Sequence, residues 1–260
     1  MKVTVPRREQ QSNGYPSDGP ADKPLLSVVI PAHNEQARLP GTLEEVFSFL
    51  SVQPYSSEVL VVENGSEDQT LKVAQSFMSS HPSLRVLQES RRGKGLAVRR
   101  GMLEARGQYR FLCDADLSMP IAEVNQFLPP LLKDFDIAIG SREAPGAVVD
   151  QPVSRRRIGR TFNAIVRLMA LPGLRDTQCG FKCFRAAVAE DIFSRQRLEG
   201  MAFDVEVLRI ARHRGYRIIE RPITWRFDPD SRVRLFRDSM RMVAELLTIR
   251  RNARRGLYDD

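Results

Sequence analysis

Short runs of aliphatic and β-branched residues alternate along most of this chain with longer stretches of helical period. The first run, Leu25-Leu26-Ser27-Val28-Val29-Ile30, is stopped by Pro31, and its near-continuous apolarity predicts a strand buried on both faces of a parallel sheet. An amphipathic helix is expected from Pro40-Gly41-Thr42 to about Leu50, then a strand at Glu58–Val62 and a helix from about Glu67 to Met78. The pattern continues with a strand at Leu84–Leu87, a helix at Lys94–Ala105, a strand ending before Asp114, a helix at Ile121–Leu132 and a strand at Phe135–Ile139. Such alternation implies βαβ units and an α/β fold with a mostly parallel central sheet flanked by helices. Further on, apolar stripes predict helices at Phe162–Leu174 and Phe236–Ile249, a helix beginning near Asp204, and a strand carrying Trp225. Residues 1–24, rich in Pro and Gly and without apolar periodicity, read as a disordered leader, and 251–260 as a mixed basic and acidic tail.

Ligands of parallel sheets bind at the carboxyl ends of the strands, so the residues just after each strand carry the chemistry. Here they are Pro31-Ala32-His33-Asn34-Glu35, Glu63-Asn64-Gly65-Ser66-Glu67-Asp68, Asp114-Ala115-Asp116 and Gly140-Ser141-Arg142. Asp114 and Asp116 follow an apolar run and supply hard oxygen ligands of the kind that hold Mg²⁺ or Mn²⁺ on a diphosphate. Asn34, Ser66 and Asp68 are equally good helix caps, a role compatible with phosphate binding at helix N-termini. A dinucleotide oxidoreductase is excluded because the first strand–helix turn is Pro-Ala-His-Asn-Glu in place of a glycine-rich fingerprint. The stretch Arg91-Arg92-Gly93-Lys94-Gly95 lacks the ending of a P-loop, yet it offers backbone N–H groups and Lys94 to a nucleotide phosphate; a turn with a solvated lysine explains it nearly as well.

At 260 residues the chain is long enough for one α/β domain with an elaborated second half. Its three cysteines, Cys113, Cys179 and Cys183, form no C-x-x-C pair, which argues against a disulfide scaffold or a structural zinc site and fits a reducing cytoplasm. No apolar run reaches the ~18 residues that suggest a membrane-spanning helix. Charge is unevenly placed: residues 1–150 hold 16 Lys/Arg against 19 Asp/Glu, whereas residues 151–260 hold 24 against 13. The second half therefore calls for an anionic partner, either a phosphorylated substrate or an acidic membrane surface. Nucleic acid, which fits the same charge, is disfavoured as the partner because a non-catalytic binder leaves Asp114, Asp116 and Glu35 on one sheet edge unexplained.

The strand-end residues, with Arg175-Asp176-Thr177-Gln178-Cys179-Gly180-Phe181-Lys182 and Met201-Ala202-Phe203-Asp204-Val205-Glu206, resemble inverting family 2 glycosyltransferases of the GT-A fold. The resemblance is to their dolichyl-phosphate β-glucosyltransferase branch and spans roughly residues 25–250, divided into a nucleotide-sugar half at 25–143 and a basic acceptor half at 144–250. It implies transfer of glucose from UDP-glucose to a polyprenyl monophosphate, on the cytoplasmic face of a membrane to which the protein binds peripherally. A GDP-mannose donor, or a soluble or glycan acceptor, is the alternative. Pro31, Ala32, Glu35, Glu63, Gly65, Ser66 and Lys94 would bind the nucleotide sugar together with Asp114 and Asp116, which would also hold the Mg²⁺ or Mn²⁺. Relatives commonly carry Asp-Asp-Gly-Ser where this chain has Glu63-Asn64-Gly65-Ser66, so the base contact falls to a side chain one methylene longer. Arg142, Arg155, Arg156 and Lys182 would bind the acceptor phosphate. Asp116, Asp204, Glu206 and Arg142 are the expected catalytic residues, although Asp204 and Glu206 also suit the first turn of a helix.

Overall fold

A computed structural model of the chain describes residues 23–152, 159, 164, 166, 170–227 and 235–259, with side chains in the last segment described at 242 and 244–259. The apolar runs become β1 (Leu26–Ala32), β2 (Ser57–Asn64), β3 (Leu84–Glu89), β4 (Tyr109–Leu112) and β5 (Ile137–Ser141). A short β6 (Val148–Asp150) precedes β7 (Lys182–Arg185), β8 (Ile218–Pro222) and β9 (Thr224–Arg226). Seven of these form the main sheet in the order β3-β2-β1-β4-β7-β5-β8, while β6 and β9 pair in parallel as a separate ribbon. All neighbours in the main sheet are parallel except β7, which runs antiparallel between β4 and β5.

The chain leaves β1 toward β2 and β3 and then returns to place β4 on the other side of β1. This reversal opens a crevice at the carboxyl ends of β1 and β4, where ligands of open α/β sheets bind. Strand β4 ends at Leu112, opposite Val29, while β1 runs on to Ala32 beside Glu63. The Asp114–Asp116 turn thus falls into a step in the sheet edge.

Helices cover both faces. On one, α1 (Leu39–Ser51) buries Leu39, Leu43, Val46, Phe47 and Leu50, a spacing that follows one helical stripe, and Pro40 sits in its first turn where no N–H is needed. Each fully buried aliphatic side chain of this kind stabilises the fold by about 1.5–3 kcal/mol. The short α2 (Thr70–Ser76) and a 3-10 helix (Ile121–Phe127) share that face. The other face carries α3 (Lys94–Glu104), α4 (Ala186–Arg195), α5 (Phe203–His213) and α6 (Leu235–Arg254).

Two expectations are corrected. The helix predicted through Leu132 stops at Phe127, because Leu128 precedes Pro129 and takes the extended conformation (φ −120°, ψ 154°) that proline imposes on its predecessor. The helix expected from Glu67 begins at Thr70, the preceding residues being drawn into loop contacts described below. The main sheet continues past residue 143. Strand β7 lies inside the sheet against β4, and after α6 the chain turns through Gly256 (φ +68°) to bury Tyr258 at 1% exposure. The predicted helix Phe162–Leu174 lies largely outside the described residues.

Candidate active site

The loops after β1 and β2 are stitched to each other. Asn34 N donates to Ser66 Oγ (3.0 Å), Glu67 N to Asn34 Oδ1 (2.8 Å), Glu35 N to Thr70 Oγ1 (2.7 Å) and Gln36 N to Asp68 Oδ2 (3.2 Å). Asn34 adopts the left-handed conformation (φ 56°), which asparagine tolerates better than most residues. Asn34 and Ser66 therefore bridge two loops and cap neither helix, whereas Asp68 Oδ1 does accept Thr70 N at the start of α2 (2.9 Å). Glu63, buried at the end of β2, accepts Ser66 N at 2.5 Å, and Gly65 makes the turn at φ 61°. On β1 Ala32 lies opposite Glu63 and Pro31 opposite Val62, and Glu35 forms an ion pair with Arg38 (3.0 Å).

Asn64, which the sequence marked only as a departure, fastens the next loop: its Nδ2 donates to Arg91 O (2.5 Å) and its Oδ1 accepts Gly93 N (2.7 Å). The loop delivers Lys94 to Asp114, with Nζ 2.7 Å from Oδ1 and both side chains a quarter exposed. That Asp114 oxygen is itself buried and accepts no well-aligned hydrogen bond, so the contact is chiefly ionic. Burial would lower the Lys94 pKa, but Asp114, Asp204 and Asp116 outweigh it and hold the ammonium charged. Asp116 accepts Ser118 N (3.0 Å); burial, with Asp114 next to it, raises its carboxyl above the ordinary value. The turn between them costs backbone strain at Leu117 (φ 43°), and Thr42 of α1 pins it by donating to Ala115 O (2.6 Å).

Among the described residues no three His, Cys, Asp or Glu side chains converge into a ready-made metal cage. Two neighbouring carboxylates, close enough that Asp114 helps raise the carboxyl of Asp116, nevertheless fit a divalent cation that takes its remaining ligands from a diphosphate and water.

The segment Arg175–Lys182 ties the rest of the site together. Asp176, fully buried, receives Arg142 through Nε (2.7 Å), Nη2 (2.9 Å) and its backbone N (3.0 Å). Glu220 of β8 accepts Arg175 N and Asp176 N from below (3.0 and 2.9 Å), and the Trp225 ring lies 5.6 Å from the Arg142 guanidinium carbon. Four residues on from Asp176, Gly180 backs directly onto Asp114: a Cβ there would lie 2.1 Å from Asp114 Oδ2. Lys182, wholly buried, donates to Cys179 O (2.6 Å) and to Asp204 Oδ1 (2.5 Å). Burial outweighs Lys182 and Lys94 and leaves the Asp204 carboxyl above its ordinary value.

The structure thus gathers Lys94, Asp114, Asp116, Asp204 and Lys182 into one cluster of three carboxylates and two ammonium groups, with Arg142 held by the same segment. Glu206 does not join it. Its carboxylate is fully buried and accepts Arg197 N (3.1 Å), Leu198 N (2.7 Å) and the Tyr258 hydroxyl (2.7 Å). The buried Lys182 likewise presents no free face for an acceptor, and Arg155 and Arg156 lie outside the described residues. Asn64, Asp176, Gly180 and Glu220 were assigned no role from the sequence, since a brace shows only when its partner's position is known.

A mostly parallel sheet whose switch point carries paired aspartates, a lysine loop and an arginine braced by a buried carboxylate is an arrangement of the GT-A fold. Residues 27–193 match the family described as "Glycosyl transferase family 2". A dolichyl-phosphate beta-glucosyltransferase of Dictyostelium discoideum is 33% identical over 95% of this chain and 82% of its own length. Its counterpart of Saccharomyces cerevisiae is 35% identical over 91% of this chain and 77% of its own. Glucosyl-3-phosphoglycerate synthase of Mycobacterium tuberculosis, solved with UDP, shares the fold with a TM-score of 0.63 at 21% identity, over 87% of this chain and 80% of that one. The same enzyme has been solved with Mn²⁺ and UDP-glucose (TM-score 0.59, 18% identity, 86% and 78% covered). The chain belongs to glycosyl transferase family 2, in the branch of the dolichyl-phosphate β-glucosyltransferases.

Proposed function

We propose that this enzyme transfers glucose from UDP-glucose to the phosphate of a dolichyl-type polyprenyl monophosphate, with inversion at the anomeric carbon. The observation that carries the reading is the single segment Asp176–Lys182. It fixes Arg142, backs Asp114 and reaches Asp204, so that a donor site and a phosphate-binding guanidinium share one support. The relatives, named for a dolichyl-phosphate acceptor and a β-glucosyl group, support the acceptor and the sugar, and the solved neighbour's complex with UDP-glucose and Mn²⁺ supports the donor and the cation.

In this reading the stitched loops around Glu63, Gly65 and Ser66 receive the nucleoside beside Pro31, Ala32 and Glu35. Lys94 meets the diphosphate, and Asp114 and Asp116 hold Mg²⁺ or Mn²⁺. When bound, that cation stabilises the charge developing on the departing nucleoside diphosphate. Asp176 engages Nε and Nη2 of Arg142, which leaves Nη1 to take an acceptor phosphate oxygen, with Trp225 fixing the guanidinium plane. A phosphate monoester is already anionic near neutral pH and attacks the anomeric carbon without a strong base. The carboxylate of Asp204, bound to Lys182, accordingly sets the charge around Lys94 instead of taking up a proton.

No helix among the described residues is long and apolar enough to cross a membrane. The positive second half provides the attraction to an anionic membrane surface on which a lipid acceptor resides, with peripheral binding on the cytoplasmic side. The test is transfer of radiolabelled sugar from UDP-glucose, and separately from GDP-mannose, into organic-extractable polyprenyl phosphate with Mg²⁺ or Mn²⁺. Label is expected in lipid from UDP-glucose alone, reduced on the order of a hundredfold or more by Asp116→Ala. Label from GDP-mannose overturns the donor, and an unaffected Asp116→Ala overturns the cation site.

A further inference from the structure

Glu206 and Tyr258 are both buried, both polar and both remote from the paired aspartates, yet they stand at the head of a chain of contacts that ends at Lys94. The Tyr258 hydroxyl donates to Glu206 Oε1 at 2.7 Å, and Asn252 Nδ2 of α6 reaches that hydroxyl at 3.4 Å. The other oxygen, Oε2, receives Arg197 N and Leu198 N at 3.1 and 2.7 Å. These are consecutive amides of the loop between α4 and α5, and one carboxylate oxygen holds both. The same loop then turns its carbonyls the opposite way. Glu199 O accepts Gly95 N at 2.9 Å, and Gln196 Nε2 donates to both Leu198 O and Gly95 O at 2.8 Å.

The contact leaves no slack. A Cβ on Gly93 would lie 2.5 Å from Glu199 O, and one on Gly95 would lie 2.6 Å from Leu198 O. The two glycines that flank Lys94 are therefore seated against the backbone that Glu206 holds, and any shift of that backbone moves Lys94 relative to Asp114. On the far side of the same loop, Glu245 of α6 accepts Ala202 N at 3.0 Å. The segment that carries Tyr258 is itself fixed, since His213 Nε2 lies 2.5 Å from Asp259 Oδ1 and Arg214 donates to Asp259 O at 3.3 Å.

We infer that Glu206 and Tyr258 are positioning residues: the turn after α6 clasps Glu206, which sets the 197–199 loop and through it the placement of the Lys94 loop on the donor diphosphate. This assigns Glu206 a role behind the Lys94 loop in place of contact with sugar or acceptor, and its use in catalysis rests on the donor reading above. Tyr258→Phe removes one hydroxyl and keeps the ring in the core, so it perturbs the clasp with little loss of packing. Glu206→Gln keeps the shape of the side chain and removes its charge.

Two measurements on the full chain test it. The first is amide hydrogen exchange of the ligand-free protein. Gly95 N–H, bonded to Glu199 O, is expected to exchange on the order of tenfold faster in Tyr258→Phe, as loss of one charge-assisted hydrogen bond predicts, while amides of β1 and α1 keep their wild-type rates. The second is titration with UDP and Mn²⁺ of the wild type, Tyr258→Phe, Lys94→Ala and the double variant. Tyr258→Phe is expected to weaken UDP binding roughly three- to tenfold in the wild-type background and not at all once Lys94 is gone. Uniformly faster exchange, unchanged Gly95 exchange, or a Tyr258→Phe effect that persists in the Lys94→Ala background overturns the inference. A wild type that binds no UDP overturns the donor reading, while the exchange experiment still decides whether the clasp reaches the Lys94 loop.

Discussion

Replacing Asp176 with Asn removes the charge that fixes Arg142 while preserving the side-chain shape. One carboxylate oxygen becomes an amide N–H₂ that must face a guanidinium donor, so either the bond from Nε at 2.7 Å or the one from Nη2 at 2.9 Å is lost and the other weakens to a bond with a neutral amide oxygen. Breaking a fully buried ion pair costs about 3–5 kcal/mol. Asp176 is fully buried, but the Arg142 side chain keeps a quarter of its surface and can turn to water. The expected loss is therefore smaller, about 2–3 kcal/mol, or roughly 5–10 °C in Tm for a domain of this size. Thermal unfolding of the two proteins measures it, and acceptor titration in the transfer assay should show a raised KM for polyprenyl phosphate with the UDP-glucose KM unchanged. The pH dependence adds a check of sign. Burial raises the Asp176 carboxyl, but the Arg142 guanidinium and its hydrogen bonds outweigh that and hold it below the ordinary value of 3.8. The unfolded chain then binds the proton more readily than the folded one. The pair's contribution is complete above about pH 5 and is lost as pH falls through the folded value. The stability gap between wild type and Asp176→Asn should stay constant from pH 8 to about 5 and narrow only below. A gap that closes between pH 7 and 5, or a Tm difference under about 2 °C, would refute the argument.

Two glycine substitutions probe the packing behind the site. Gly180→Ala places a methyl 2.1 Å from Asp114 Oδ2 and must displace that carboxylate from Lys94, so Mn²⁺-dependent UDP binding should fall at least about tenfold in isothermal titration while chemical unfolding shifts little. In α3, Gly101→Ala would ordinarily stabilise a helix by about 1 kcal/mol. Here the new Cβ would meet Val29 Cγ1 at 2.3 Å and Val62 Cγ2 at 2.9 Å, both on buried strands that cannot yield. Overpacking of this sort costs about 1–3 kcal/mol, so urea unfolding should show a net loss of stability; a gain would mean that α3 shifts freely over the sheet.

The sequence by itself determined the alternation of elements, because periods of two and 3.6 are local properties of neighbouring side chains. It also located the polar residues that stand at or just after the ends of β1, β2 and β4. Residue resemblance carried the family. Only the tertiary structure decided which polar residue serves which. Strand β7, with four residues and a charged one at each end, carries no legible period, yet it enters the sheet antiparallel and brings Gly180 and Lys182 to Asp114 and Asp204. Asp176 meets Arg142 across 34 residues, and Tyr258 meets Glu206 across 52. Neither pairing leaves a mark in local composition, because a buried carboxylate on a helix or loop is written with the same letter as a solvated one. Glu206 and Asp204 differ by two positions on one helix, so their side chains diverge, and the fold alone sends one to the donor cluster and the other to the loop behind it.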